Sequence, residues 1–397
     1  MKKIYLDHAA STPVDPEVFR AMEPYFAGKF GNPGSLHSFG QEAIAAVDRS
    51  RESIARAIGA EFRNIVFAGS ATEANGLAIR GALLGARNNF ASAERPRIIV
   101  SAIEHESVLE TARAGERMGV EVVYVPVSKE GSVDEKKIKE NLNERTVLVS
   151  VMYAQNEIGA VQKIAEIAKT IKEFRGKKIY PLFHTDAAQA LQFLDCNVAR
   201  LGVDLMTLSA HKIYGPKGIG ALYANDLELL KAIVDGGGQE FGLRSGTENV
   251  PSIVGFAKAV ELAEAARTKE SKRIAALRDE LWRGIREAAP DAEMNGPAQN
   301  EDRLPNILNV YFPRRTAEEL LTKFDLAGLA ASSGSACRSR AVESSYVIGA
   351  LGYGRARAKG SVRFSLGRPT TAGEIREAVG VIHSVLATFS SPRRIIK

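Results

Sequence analysis

Two motifs organise the chain: His184-Thr185-Asp186-Ala187-Ala188-Gln189 and Ser209-Ala210-His211-Lys212-Ile213-Tyr214-Gly215-Pro216-Lys217-Gly218. Each follows an apolar run short enough to be a buried strand, residues 179–183 and 203–208, so the pattern puts both motifs at strand ends. In an open α/β sheet, ligands collect at the carboxyl ends of the strands.

A carboxylate at one strand end and a lysine at another, each among polar neighbours, suit an enzyme that holds pyridoxal phosphate. The lysine bonds the cofactor's aldehyde, and an acid keeps the ring nitrogen protonated so that the ring accepts electrons. On this reading Lys212 carries the cofactor and Asp186 faces the ring nitrogen. The same residues also permit a plainer reading, in which Asp186 caps a helix beginning at Ala187 and Lys212 is one solvated lysine among many. Spacing alone leaves both open.

Outward from these motifs, strand-like and helix-like segments alternate. Residues 64–67, 97–100, 120–125 and 146–152 read as strands, with helices over 38–58, from Gly69-Ser70-Ala71-Thr72-Glu73 to about residue 85, from Asp134, and over 164–174. Such alternation predicts a mostly parallel sheet with helices on both faces. The small residues at Gly69–Thr72 predict an anion cradle at a helix N-terminus, although capping alone selects Ser and Thr there. Beyond about Pro251 a long amphipathic helix, 254–288, leads to strands at 306–311, around 329 and at 362–366, and to a last helix opened by the capping box Thr371-Ala372-Gly373-Glu374. We read a large domain over 15–258 and a smaller α+β domain over 1–14 and 259–397, with the N-terminal strand pairing into the latter.

The two motifs, together with Gly69-Ser70-Ala71-Thr72-Glu73-Ala74-Asn75, Glu104-His105, Asn156-Glu157-Ile158-Gly159, Arg244-Ser245-Gly246-Thr247-Glu248-Asn249 and Ser333-Gly334-Ser335-Ala336-Cys337, closely resemble the cysteine desulfurases of the NifS/IscS type. The likeness runs in order from residue 5 to about 370. It departs at His8, where the family more often has Asn, and at Gln162-Lys163, where the family has Gln-Pro. The resemblance implies the fold type I architecture of pyridoxal-phosphate enzymes, α/β with a mostly parallel seven-stranded sheet, and a homodimer. It implies that Lys212 and Asp186 hold the cofactor as above. His105 stacks on the ring and acts in proton transfer, and Gln189 and Asn156 reach the ring oxygen. Ala71, Thr72, Ser209 and His211 bind the phosphate, with Thr247 contributed by the other subunit.

For substrate, the resemblance implies that Arg363, helped by Asn156, binds the α-carboxylate of L-cysteine. Cys337, set among small polar residues and cations that favour a thiolate on a loop that moves, takes the sulfur as a persulfide and leaves alanine. The sulfur then passes to an acceptor, an iron–sulfur scaffold or another sulfur-transfer partner. A selenocysteine lyase or a transaminase of the same fold is the alternative enzyme, and a non-catalytic scaffold the alternative of another class. Cys196 reads as a structural thiol.

With 397 residues, 45% hydrophobic and 25% charged, the chain can bury a large core. A net charge of +6 spread along helices does not indicate nucleic acid. Two cysteines cannot build a disulfide framework, no Cys/His metal cluster appears, and no stretch is long enough to span a bilayer, which together predict a cytoplasmic protein.

Overall fold

A computed structural model describes residues 3–87, 95–334 and 344–390. Its strands in chain order are β1 (Ile4–Tyr5), β2 (Ile65–Ala68), β3 (Arg97–Ser101), β4 (Glu121–Val125), β5 (Thr146–Ser150), β6 (Leu182–Asp186), β7 (Leu205–Ser209), β8 (Gly220–Ala224), β9 (Glu293–Asn295), β10 (Ile307–Tyr311), β11 (Leu329–Ala330) and β12 (Ser361–Ser365). Seven of them form one sheet in the order β2-β8-β7-β6-β5-β3-β4. All neighbours in it are parallel except at β8, which runs antiparallel to both β2 and β7.

The central strands are buried along their whole length, as a sheet covered on both faces requires. Side-chain alternation divides them between two cores. Ile65, Phe67, Phe183 and Met206 pack toward the helix Ser38–Ala57, and Val66, Ala68, Leu182 and Leu205 pack toward the helix Ala71–Ala86.

Two boundaries differ from the sequence pattern. The strand expected at 179–183 is β6 at 182–186, with Ile179 half-exposed outside it. His184, Thr185 and Asp186 stay in the strand because neighbouring segments supply partners for them: Ser150 and Thr207 for His184, the Val151 carbonyl for Thr185. β8, rich in small residues, carries no strand signal of its own and is drawn into the sheet by pairing on both edges.

The 39-residue helix Val250–Ala288 links two cores. Ile253, Phe256 and Val260 pack against the large sheet, whereas Ile274, Leu277, Leu281 and Ile285 pack with Leu308, Phe324, Phe364 and Ile382 in a second core. There β9, β10 and β12 form an antiparallel sheet, and β1 pairs parallel with β11, bringing Ile4 and Leu6 into the same core. The final helix, Ala372–Ser390, opens on the expected capping box: Glu374 accepts from the Thr371 N–H at 2.9 Å, and the Glu374 N–H donates to Thr371 Oγ1 at 3.2 Å.

Candidate active site

β6 and β7 pair in register, with Asp186 opposite Thr207, so the ends of both strands open on the same side of the sheet. Asp186 is 5% exposed. Its Oδ2 accepts from Asn75 Nδ2 at 2.8 Å, and its Oδ1 from the Ala188 N–H at 2.9 Å. A run of turns follows in place of the helix that a capping role would need.

Lys212 ends a short 3₁₀ turn after β7. Its Nζ donates to the carbonyls of Ala9 and Ala10 at 2.7 and 2.9 Å, and Gln189 Nε2 donates to the Ala9 carbonyl at 2.9 Å. The N-terminal segment therefore crosses the site, held by Thr12, whose N–H and hydroxyl both donate to the His211 carbonyl.

His105 caps the helix Glu106–Arg117, its Nδ1 accepting from the Ser107 N–H at 3.1 Å. Burial lowers the ring's affinity for a second proton, opposed by the Asp186 charge and reinforced by Lys212. The neutral ring that accepts at Nδ1 carries its proton on Nε2. Asn75, by donating to both Asp186 and Ser107 Oγ, ties the orientation of His105 to that of the carboxylate.

Ser209 Oγ lies 3.1 Å from His211 Nδ1. Burial, with the Lys212 and Lys217 cations, pulls His211 down to about 4. Ser70 caps the helix that starts at Ala71, leaving Ala71 and the exposed Thr72 in its first turn. Gly220 of β8 makes room for that turn, since a Cβ there would stand 2.8 Å from the Ala71 nitrogen. Thr247 is exposed and makes no hydrogen bond among the described residues. Its loop is fastened to the sheet edge by Glu240, which pairs with buried Arg51 at 2.7 Å and accepts from the Phe67 N–H at 2.7 Å.

Arg363 comes from β12, whose Val362 and Phe364 pack in the second core. It is 2% exposed, its Nη1 donating to the Asn156 carbonyl at 2.9 Å and its Nη2 to Asp7 at 2.8 Å. Arg363 Nε and Asn156 Oδ1 are buried without partners. Cys337 lies outside the described residues. The segments flanking it converge on Glu157, whose carboxyl accepts from Ser345 Oγ at 2.6 Å and lies where a Cβ on Gly334, at φ +90°, would meet it at 2.4 Å.

The structure thus joins Lys212 with Gln189 through the Ala9 carbonyl, Asp186 with His105 through Asn75 and Ser107, Ser209 with His211, and Arg363 with Asn156. Sequence reasoning missed the Ala9 and Ala10 carbonyls, which show no side-chain signal. It also missed Asn75 and Glu157, which stand inside recognised motifs, and Asp7. Among the described residues no cluster of His, Cys, Asp or Glu could hold a metal ion, and no helix is long and apolar enough to cross a membrane.

The class-V aminotransferase family model matches residues 4–377. The chain is 42% identical to a cysteine desulfurase IscS of Dictyoglomus turgidum over 385 residues, 97% of this chain and 95% of that protein. It is 43% identical to a cysteine desulfurase IscS of Histophilus somni over 388 residues, 96% and 92% respectively. Among solved structures it resembles a NifS-like protein with a TM-score of 0.89 at 33% identity, covering 97% of this chain and all of that one. SspA in complex with cysteine matches with a TM-score of 0.77 at 34% identity, covering 91% and 98%.

Proposed function

We propose that this chain, which belongs to the class-V aminotransferase family and within it to the cysteine desulfurases, uses the site between its two domains to remove sulfur from L-cysteine, giving L-alanine and a persulfide on Cys337. The observation that carries the reading is the pairing of a buried carboxylate, Asp186, with Lys212 at the ends of adjacent parallel strands, beside the Ser70-Ala71-Thr72 helix N-terminus.

The donor set fits pyridoxal 5'-phosphate. Lys212 would hold the aldehyde carbon and Asp186 the ring nitrogen. The helix N-terminus with Thr72, Ser209 and His211 would hold the phosphate, and the side-chain amides of Gln189 and Asn156 would donate to the ring oxygen and the substrate. When bound, that group supplies the electron sink that stabilises negative charge at the substrate's α-carbon. Lys212 Nζ, the amine nearest that carbon, would take the α-proton. Arg363 binds the α-carboxylate through its remaining donors, including the unpartnered Nε. The Cys337 thiolate attacks the substrate sulfur, so that a sulfur–sulfur bond forms as the carbon–sulfur bond breaks, and the electron pair left on carbon is protonated on the way to alanine. Lys212 Nζ, which carries the α-proton, can supply that proton; His105, neutral at rest, serves as a donor only once it has taken up a second proton, since a neutral imidazole keeps its Nε2 hydrogen.

The persulfide passes to an acceptor such as an iron–sulfur scaffold, and the chain works in the cytoplasm. It works as a homodimer, in which Thr247 joins the partner's phosphate site. The exposed apolar side chains Phe26, Phe30, Leu36 and Phe39, with Leu36 93% exposed, support such an interface.

The test is incubation with cysteine and a reductant. Sulfide and alanine should appear in equal amounts, and Cys337→Ser should still bind cysteine but release no sulfide. Keto acid in place of alanine would mean a transaminase, and sulfide from Cys337→Ser at the wild-type rate would remove Cys337 from the reaction.

A further inference from the structure

Beneath Asp186 runs a line of buried polar groups that the proposed reaction leaves unused. Glu104 lies in the turn between β3 and His105 and is 0% exposed, as are Ser150 on β5, His184 on β6 and Thr207 on β7. Glu104 Oε1 accepts from Ser101 Oγ at 2.5 Å and from the Met152 N–H at 2.6 Å. Its Oε2 is 3.3 Å from Ser150 Oγ, which is 2.9 Å from His184 Nδ1, and His184 Nε2 is 3.1 Å from Thr207 Oγ1. The Tyr346 hydroxyl donates to the Glu104 carbonyl at 2.6 Å, fixing the turn from the other domain.

This line has two self-consistent directions. With Glu104 ionised, Oε2 takes the Ser150 proton, Ser150 accepts from His184 Nδ1–H, and Nε2 accepts from Thr207. With Glu104 protonated the proton sits on Oε2, because Oε1 already receives two donors. Glu104 then donates to Ser150, Ser150 to His184 Nδ1, and Nε2–H to Thr207. The state of one carboxyl thereby selects the tautomer of a histidine two side chains away.

Burial and the charge of Asp186 favour the proton on Glu104, against the donors around it. Ser101 faces it from its own turn, Ser150 and Met152 from β5 and the residues after it, and Asp186 and His184 from β6. Asp186 is the charged group among them. Burial, and to a lesser degree the like charge of Asp186, hold Glu104 up to about 7, although Ser101, Met152 and Ser150 oppose this, and burial holds His184 down to about 4, so that the ring itself stays neutral.

We propose that Glu104 is a proton-bearing positioning residue: the proton on its Oε2 sets the direction of the Glu104–Ser150–His184–Thr207 line, holds His184 as the Nε2–H tautomer and keeps a second negative charge away from Asp186. Its consequence for catalysis rests on Asp186 facing the ring nitrogen. The hydrogen-bond direction itself does not.

The test is nitrogen-15 NMR of histidine-labelled, cofactor-loaded protein below and above about pH 7, with His184 assigned by loss of its signals in His184→Gln. Wild type should show His184 protonated at Nε2 below that pH and at Nδ1 above it, an exchange of the two nitrogen shifts. Glu104→Gln, whose amide can donate from the Oε2 position at every pH, should hold Nε2–H throughout. Wild type with Nδ1–H below the transition, or with one tautomer throughout, overturns the proposal, as does a variant that switches with wild type. The wild-type titration does not depend on Glu104→Gln folding. Sulfide and alanine release, measured separately, reports on the desulfurase reading alone.

Discussion

The two halves of the site are built differently. On the large-domain side, Asp186, Ser209 and the Glu104 line stand at the ends of neighbouring parallel strands, and their partners are fixed by sheet register: His184 beside Ser150 and Thr207, Asp186 opposite Thr207. On the other side, Arg363 stands in β12 opposite Asn309, but its side-chain partners lie outside that sheet and far apart in the chain, Asp7 and the carbonyl of Asn156. In the first half most polar groups have a side-chain or backbone partner on a neighbouring strand or its following turn. The second half depends on one charge pair, and a buried guanidinium without its carboxylate is costly.

The sharpest break of this contrast is at Lys212, which follows β7 of the first half yet is held by Ala9 and Ala10 of the N-terminal segment, whose Asp7 holds Arg363. Lys212→Ala should lower turnover by about a thousandfold or more while leaving the sheet intact, and borohydride should fix no cofactor on the chain. Full labelling in that variant would place the cofactor elsewhere.

Next comes Asp7→Asn, which strikes the small-domain half directly. Removing the carboxylate from Arg363 should cost about 3 kcal/mol of stability, read by denaturant unfolding, and should raise KM for cysteine more than it lowers kcat. A KM at the wild-type value would mean that Asp7 does not position the arginine.

The large-domain half should respond to pH instead. Glu104 is held up to about 7 from an ordinary 4.5, so the folded chain binds its proton more tightly than the unfolded chain. That contribution to stability is complete below about pH 4.5, is lost as pH rises through about 7, and is level above it. Unfolding measured for wild type against Glu104→Gln should therefore diverge over that window by at most about 3 kcal/mol, in favour of the variant as pH rises. A constant difference across the window would show that Glu104 keeps an ordinary affinity for its proton.

The smallest effect should come from Cys196→Ser. This thiol is buried in the large core, away from both halves, and burial pushes it up to about 12, so it is neither nucleophile nor ligand. Turnover should be unchanged and stability should fall by about 1 kcal/mol. A loss of sulfide release would give Cys196 a part in the chemistry.

Much of this is legible in the chain itself. Short apolar runs followed by polar motifs announce a covered parallel sheet with its ligands at one edge, because strand periodicity and helix capping act over a few residues. Spacing alone places Asp186 and Lys212 after strands and the Ser70–Thr72 turn at a helix start, whereas the roles given to them and to His105 rest on the resemblance of their motifs to a known family. The capping box at Thr371 is local in the same sense. Tertiary structure alone decided that β6 runs on through His184 to Asp186, that β8 enters the sheet, that the Ala9 and Ala10 carbonyls receive Lys212, and that Asp7 answers Arg363. In each case the deciding partner is distant in sequence, and a buried polar group takes whichever donor or acceptor folding brings within about 3 Å. Backbone carbonyls and paired charges carry no pattern along the chain, so only the packed molecule could identify them.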